Sequence, residues 1–187
     1  MHAPLPSSAR RRRAVLAGLA AGLALAAIDG RAVELSSLET RSGSIVDATV
    51  IVTPAMAIFQ QSLDETGLRG AGCRHRTSDP AAIGALTKLL RDAHLTERVV
   101  YQRPDAREAV YLTADDGFRW TLVFGDNRGG SLPVEGTVET SAGGDLRTGA
   151  VVADAGLAAD LRRWTAAYGG AGVGNGCARP VEARPVP

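Results

Sequence analysis

Residues 118–124 read Phe-Arg-Trp-Thr-Leu-Val-Phe, and in this stretch large apolar side chains alternate with Arg119, Thr121 and Val123. Alternation with a period of two is typical of a β-strand that buries one face. The stretch holds two of the three phenylalanines and one of the two tryptophans of the chain, so it carries much of the aromatic surface that folding can bury. We therefore predict a strand near the centre of the core.

Other strands are expected on both sides of this stretch. Asp115, Asp116 and Gly117 have the composition of a hairpin turn, which connects 118–124 to a preceding strand at 109–113. Residues 57–64 fit either a strand or a helical turn, and we favour the strand. The remaining predicted strands are 46–52, 99–102 and 134–140.

Two segments have helical spacing instead. Asp79 is a good N-cap, Pro80 suits the first helical position, and apolar residues recur every three or four positions as far as residue 94. A second apolar stripe begins near Asp154 or Ala155 and stops at Gly169. These elements predict an α+β fold with a mainly antiparallel sheet of about five strands and two helices.

Cys73 and Cys177 are the two cysteines of the chain, and they lie 104 residues apart. A single pair of this kind predicts one disulfide, which would stabilise the fold by up to about 4.7 kcal/mol according to the chain-entropy model. Cys73 and His75 could share a metal ion, but no second pair of this type exists and structural sites need four ligands. We predict no metal and no cofactor.

The N-terminus has the features of an export signal. Four arginines at 10–13 precede an apolar run at 14–27, and small residues suggest cleavage near Ala26. The run is shorter than the roughly 20 residues that a membrane span needs, so we expect a periplasmic or secreted protein with no stable span after processing. An uncleaved anchor is the alternative, and Arg12-Arg13 leaves the twin-arginine and general secretory routes both open.

The predicted organisation follows from this signal. Residues 1–26 are the export signal, 27–43 a loose segment leading into the fold, 44–177 one globular domain, and 178–187 a Pro-rich disordered tail. Residues 1–26 hold four arginines and no acidic residue, so the processed chain has 17 basic against 20 acidic residues, a net charge of −3. This balance argues against nucleic acid as a partner.

The strongest candidate site is Arg74, His75 and Arg76, which lie beside Cys73 and just before the predicted helix N-terminus. Arginines and free helical N–H groups both favour anions, so we expect a small anionic ligand or an acidic patch on a partner protein. The alternative is a solvated loop with Asp79 occupying the helix end.

The chain has no G-x-S-x-G, S-x-x-K or H-E-x-x-H motif, and its catalytic residues, if it has any, are unknown. The lack of these motifs in a chain with an export signal favours a small exported binding or accessory protein, inhibitor-like in character. A small secreted hydrolase or transferase is an alternative because catalytic groups can converge without a motif. A structural envelope component that oligomerises through a sheet edge is another, and the oligomeric state cannot be predicted from the sequence.

Overall fold

The computed structural model describes residues 36–54, 59–97, 105–125, 132–169, 172–174 and 177. Its strands form one antiparallel sheet in the order β2-β1-β4-β5-β6-β7-β3. The strands are β1 Ile45–Val52, β2 Cys73–Thr77, β3 Thr96–Glu97, β4 Ala106–Ala114, β5 Arg119–Gly125, β6 Val134–Ala142 and β7 Asp145–Ala153. The α+β class and the antiparallel sheet are therefore confirmed.

The strand predicted from 118–124 is β5, and it is the middle strand of the sheet. Trp120, Leu122 and Phe124 point to one side and are almost completely buried. The indole N–H of Trp120 donates to the Ser37 hydroxyl at 3.1 Å, so the polar atom of this buried ring has a partner. The alternation in the sequence correctly identified the centre of the core.

In the described residues four α-helices accompany the sheet: α1 Ser36–Arg41, α2 Glu65–Ala71, α3 Pro80–Asp92 and α4 Leu157–Tyr168, and a 3₁₀ turn at Ser42–Ser44 follows α1. The two long helices, α3 and α4, are those that the sequence predicts. The Asp79 carboxylate caps α3 by accepting from the Ala81 and Ala82 amides at 3.2 Å each. This helix ends before His94, which has a positive φ of 47°.

The sheet has two unlike faces. On the covered face, Val50, Leu112 and Leu122 pack against apolar residues of α3 and α4 to form the main core. On the open face, the short helix α2 covers one end, where Leu68 packs on Ile51 and its neighbours. The rest of the open face has no helix over it in the part of the chain that the structure describes.

The prediction of about five strands was wrong, since the sheet has seven. β2 reads Cys-Arg-His-Arg-Thr and has no alternating apolar side, so its sequence resembles a polar loop although it pairs with β1 along its whole length. β3 has only two residues, and the first half of β7 is exposed. Short or exposed edge strands need little apolar patterning, which is why the sequence does not reveal them.

Two other segments differ from expectation. Residues 59–64, the described part of the predicted strand 57–64, form no strand, and Asp64 instead caps α2 by accepting from the Gly67 amide at 2.7 Å. The segment 27–43, expected to be loose, contains α1 in its described part, and Leu38 of that helix is buried in the core. The predicted strand 99–102 lies outside the described residues.

The predicted disulfide is confirmed: Cys73 at the start of β2 is bonded to Cys177, with Cα atoms 5.3 Å apart. Nearby, Val173 and Arg74 exchange two backbone hydrogen bonds of 3.0 Å, so Val173 borders the outer edge of β2. The predicted export signal at 1–26 and tail at 178–187 fall outside the described residues. Among the helices that are described, none is long and apolar enough to cross a membrane.

Candidate functional site

Arg74, His75 and Arg76, the residues predicted to form a site, lie on the edge strand β2 and not in a loop. Because side chains alternate along a strand, Arg74 and Arg76 project from the open face while His75 projects from the covered face. The structure therefore brings the two arginines together and separates His75 from them.

His75 contacts the C-terminal segment. Its Nδ1 lies 3.1 Å from the Gly169 carbonyl oxygen, just after α4 ends. A Cβ atom at Gly169 or Gly172 would come within 2.5 or 2.6 Å of the imidazole ring, so glycine at both positions leaves room for it. Gly169 and Gly172 therefore allow the backbone to approach the His75 ring closely.

The N-terminus of α3 offers no anion site of the predicted kind. The Asp79 carboxylate already accepts from the free amides there, and the Thr77 hydroxyl accepts from the Asp79 amide at 3.1 Å. A second anion would meet the charge of Asp79. The position at the start of α3 where the helix dipole favours an anion is therefore already occupied by the Asp79 carboxylate.

A different set of cations gathers on the open face. A depression of about 340 Å³ there is bordered by four exposed arginines, and Tyr111 of β4 contributes to its lining. We call this set the arginine cluster: Arg69, Arg74, Arg76 and Arg119. They reach the depression from three separate elements, namely α2, the edge strand β2 and the central strand β5.

Tyr111 and Arg69 are held together through Glu65. The Tyr111 hydroxyl donates to Glu65 Oε1 at 3.1 Å, and Arg69 donates to the same oxygen through two nitrogens at 2.7 and 3.0 Å. The Arg69 guanidinium also lies 4.4 Å from the centre of the Tyr111 ring, a cation–π contact. The hydrogen bond to Glu65 raises the pKa of Arg69. Burial, and then the charge of Glu65, raise the pKa of the Tyr111 phenol.

The four arginines differ in how far their charge is compensated. Arg69 is paired with Glu65, and Arg76 with Asp47 at 2.9 Å. Within the described ranges, Arg74 and Arg119 have no carboxylate partner. Two of the four arginines are therefore matched by carboxylates, and the uncompensated positive charge lies at Arg74 and Arg119, whose strands are three apart in the sheet.

Hydroxyl groups fill the space between these two arginines. Thr49, Tyr111 and Thr121 occupy successive strands in one row, because Thr49 pairs with Tyr111 and Tyr111 with Thr121. Adjacent strands are about 4.8 Å apart, so the strands β2 and β5 that carry Arg74 and Arg119 are about 14 Å apart across the sheet. The two arginines are also offset by four residues along the strands, since Arg74 pairs with Ile51 and Arg119 lies in the row of Asp47. The row of hydroxyls continues to Arg76 on β2 and to Glu139 on β6, and the uncompensated Arg74 and Arg119 lie in the neighbouring rows on either side of it.

Sequence reasoning found only part of this cluster. Arg119 and Thr121 could have been assigned to the polar face of their strand, since they alternate with Trp120 and Leu122. Their proximity to Arg74 depends on the pairing of β2 with β1 and of β1 with β4, between residues far apart in the chain. No local signal in the sequence reports that register.

In the described part of the chain, no three His, Cys, Asp or Glu side chains come together in a group that could hold a metal ion. No family model, curated protein or solved structure matches this chain.

Proposed function

We propose that this chain is a small exported binding protein that takes an acidic segment of a partner protein on the open face of its sheet. The observation that carries the proposal is the arginine cluster, in which Arg74 and Arg119 have no carboxylate partner in the described ranges. Exposed guanidinium groups bind carboxylates through paired hydrogen bonds. Placement outside the cytosol rests on the predicted export signal and agrees with the disulfide between Cys73 and Cys177.

The spacing of the arginines favours a partner protein over a small anion. A single carboxylate or phosphate is only a few ångströms across, whereas the two uncompensated guanidinium groups belong to strands about 14 Å apart. An extended segment with several carboxylates can reach both. The hydroxyls of Thr49 and Thr121 then lie beneath its backbone as additional hydrogen-bonding groups.

An oligoglutamate peptide is a suitable probe, with its affinity measured by calorimetry at low and high salt. We expect binding that weakens as salt rises, because the contacts are between exposed charges. The double variant Arg74→Ala with Arg119→Ala should bind about tenfold more weakly, since each exposed ion pair contributes up to about 1 kcal/mol.

The matched control is Lys88→Ala with Arg91→Ala, which removes two cations from α3 on the other side of the sheet. Its affinity should equal that of the unmodified protein. An equal loss in both double variants would show only a general effect of net charge and would contradict the proposal. Inorganic phosphate that binds as tightly as the peptide would instead indicate a site for single small anions.

A further inference from the structure

The row of hydroxyls on the open face is followed by a carboxylate on β6. Tyr111 pairs with Thr121 of β5, and Thr121 pairs in turn with Glu139 of β6. Val138 and Thr140, the neighbours of Glu139 along its strand, are buried on the covered face. Because side chains alternate along a strand, Glu139 lies on the same face as the arginine cluster.

Glu139 lies beside Arg119 without pairing with it. Arg119 pairs with Ser141, two residues along β6 from Glu139, so the two charged residues are diagonal neighbours about 7–8 Å apart. Glu139 is half-buried and has no ion-pair partner within the described residues. The open face therefore presents an unpaired carboxylate next to an unpaired guanidinium group.

We propose that the acidic segment of the partner also carries a basic residue, which binds Glu139 beside the acidic residue that binds Arg119. This inference rests on the proposed function and specifies the charge order of the bound segment. In an extended chain, residues two positions apart point to the same side and lie about 6.8 Å apart. This spacing matches the diagonal between Arg119 and Glu139, so the basic residue is two positions from that acidic residue.

Glu139 then acts as a specificity-determining residue at one end of the site. A segment that stays acidic beyond Arg119 brings a carboxylate beside Glu139, and like charges at that distance repel. A segment whose charge reverses there gains an ion pair instead. In the direction of Arg74 the surface is cationic, so the rest of the segment stays acidic.

Two peptides with blocked ends test this charge order by calorimetry on the full chain: oligoglutamate that ends in Gly-Lys and oligoglutamate that ends in Gly-Gln. Each is also made with the two extra residues at its N-terminus, so that both chain directions are covered. The lysine peptide has the smaller negative charge, so general attraction to the arginines would make it bind more weakly. We expect it to bind about threefold to fivefold more tightly in one of the two directions, as an exposed ion pair allows.

Variants of Glu139 locate the effect. Glu139→Gln should remove the advantage of the lysine peptide, and Glu139→Lys should reverse it by favouring oligoglutamate without lysine. The matched control is Glu135→Lys, which makes the same change of charge on the same strand four residues away. This control should keep the advantage of the lysine peptide.

Equal or weaker binding of the lysine peptide in both directions overturns the inference. So does an advantage that survives in Glu139→Gln, or one that is lost equally in Glu135→Lys. In these cases oligoglutamate still binds, and the proposed function stands without the charge order. Failure of every peptide to bind would overturn the proposed function and this inference together, so the two kinds of failure are distinguishable.

Discussion

The two faces of β5 show how one strand serves two purposes. Trp120 and Leu122 point into the core beneath the long helices, whereas Arg119 and Thr121, their immediate neighbours, border the depression on the open face. The covered face holds the fully buried rings of Trp120 and Phe124, and the open face holds two cations without carboxylate partners among the described residues. Stability and binding are therefore expected to respond to different substitutions, even at adjacent positions.

The largest expected contrast is between Leu122→Ala and Thr121→Ala. Leu122 is fully buried, so its truncation leaves a cavity and should lower the free energy of unfolding by about 2–5 kcal/mol. Thr121 is on the open face, and its truncation should change that free energy by no more than about 0.5 kcal/mol. Urea denaturation of both variants measures the difference, and equal losses would contradict the distinction between the faces.

The disulfide is expected to have the next largest effect, because it joins Cys73 of the edge strand β2 to Cys177. Replacing both Cys73 and Cys177 by alanine should lower the free energy of unfolding by about 2–4 kcal/mol, since the unfolded chain is no longer restrained by a loop of 104 residues. Thermal unfolding at matched pH provides the measurement. Treatment with a thiol reductant should destabilise the native protein and leave the double variant unaffected.

Tyr111, on the open face, is expected to make the stability of the fold depend on pH in the alkaline range. Its pKa is raised in the folded protein, so the folded state holds the phenolic proton more tightly than the unfolded state does. This contribution to stability is complete below the unfolded pKa of about 10 and is lost as pH rises above that value. Tyr111→Phe should therefore show a smaller loss of stability between neutral pH and strongly alkaline pH. Tyr168→Phe, on α4, is the control and should keep the loss seen in the native protein.

The smallest effect is expected at Asp116, in the hairpin turn before β5. The amide of Phe118 donates to its carboxylate at 3.0 Å and, together with Arg41, lowers its pKa. Its stabilising contribution is present above the unfolded pKa of about 3.9 and is lost as pH falls below it. Because Asp116 is exposed, Asp116→Asn should shift the acid unfolding midpoint only slightly. A large shift would indicate that this turn matters more to stability than its exposure suggests.

The parts of the fold that can be predicted from the sequence are those where burial of one face requires apolar residues at regular intervals. The central strand and the helices α3 and α4 each place apolar residues at regular spacing, so pattern alone locates them. β2 has too little apolar patterning to be recognised, and His75 was assigned to a site although it faces Gly169. The arginine cluster depends on strand register between distant segments, and local patterns contain no information about that register.

The most direct test of the binding proposal is to map where oligoglutamate contacts the folded protein, using amide chemical shifts in a titration. We expect the largest changes at Thr49, Arg74 and Arg119, with little change on the outer surfaces of α3 and α4. Saturating changes confined to those helices would contradict the assignment of the open face as the binding surface.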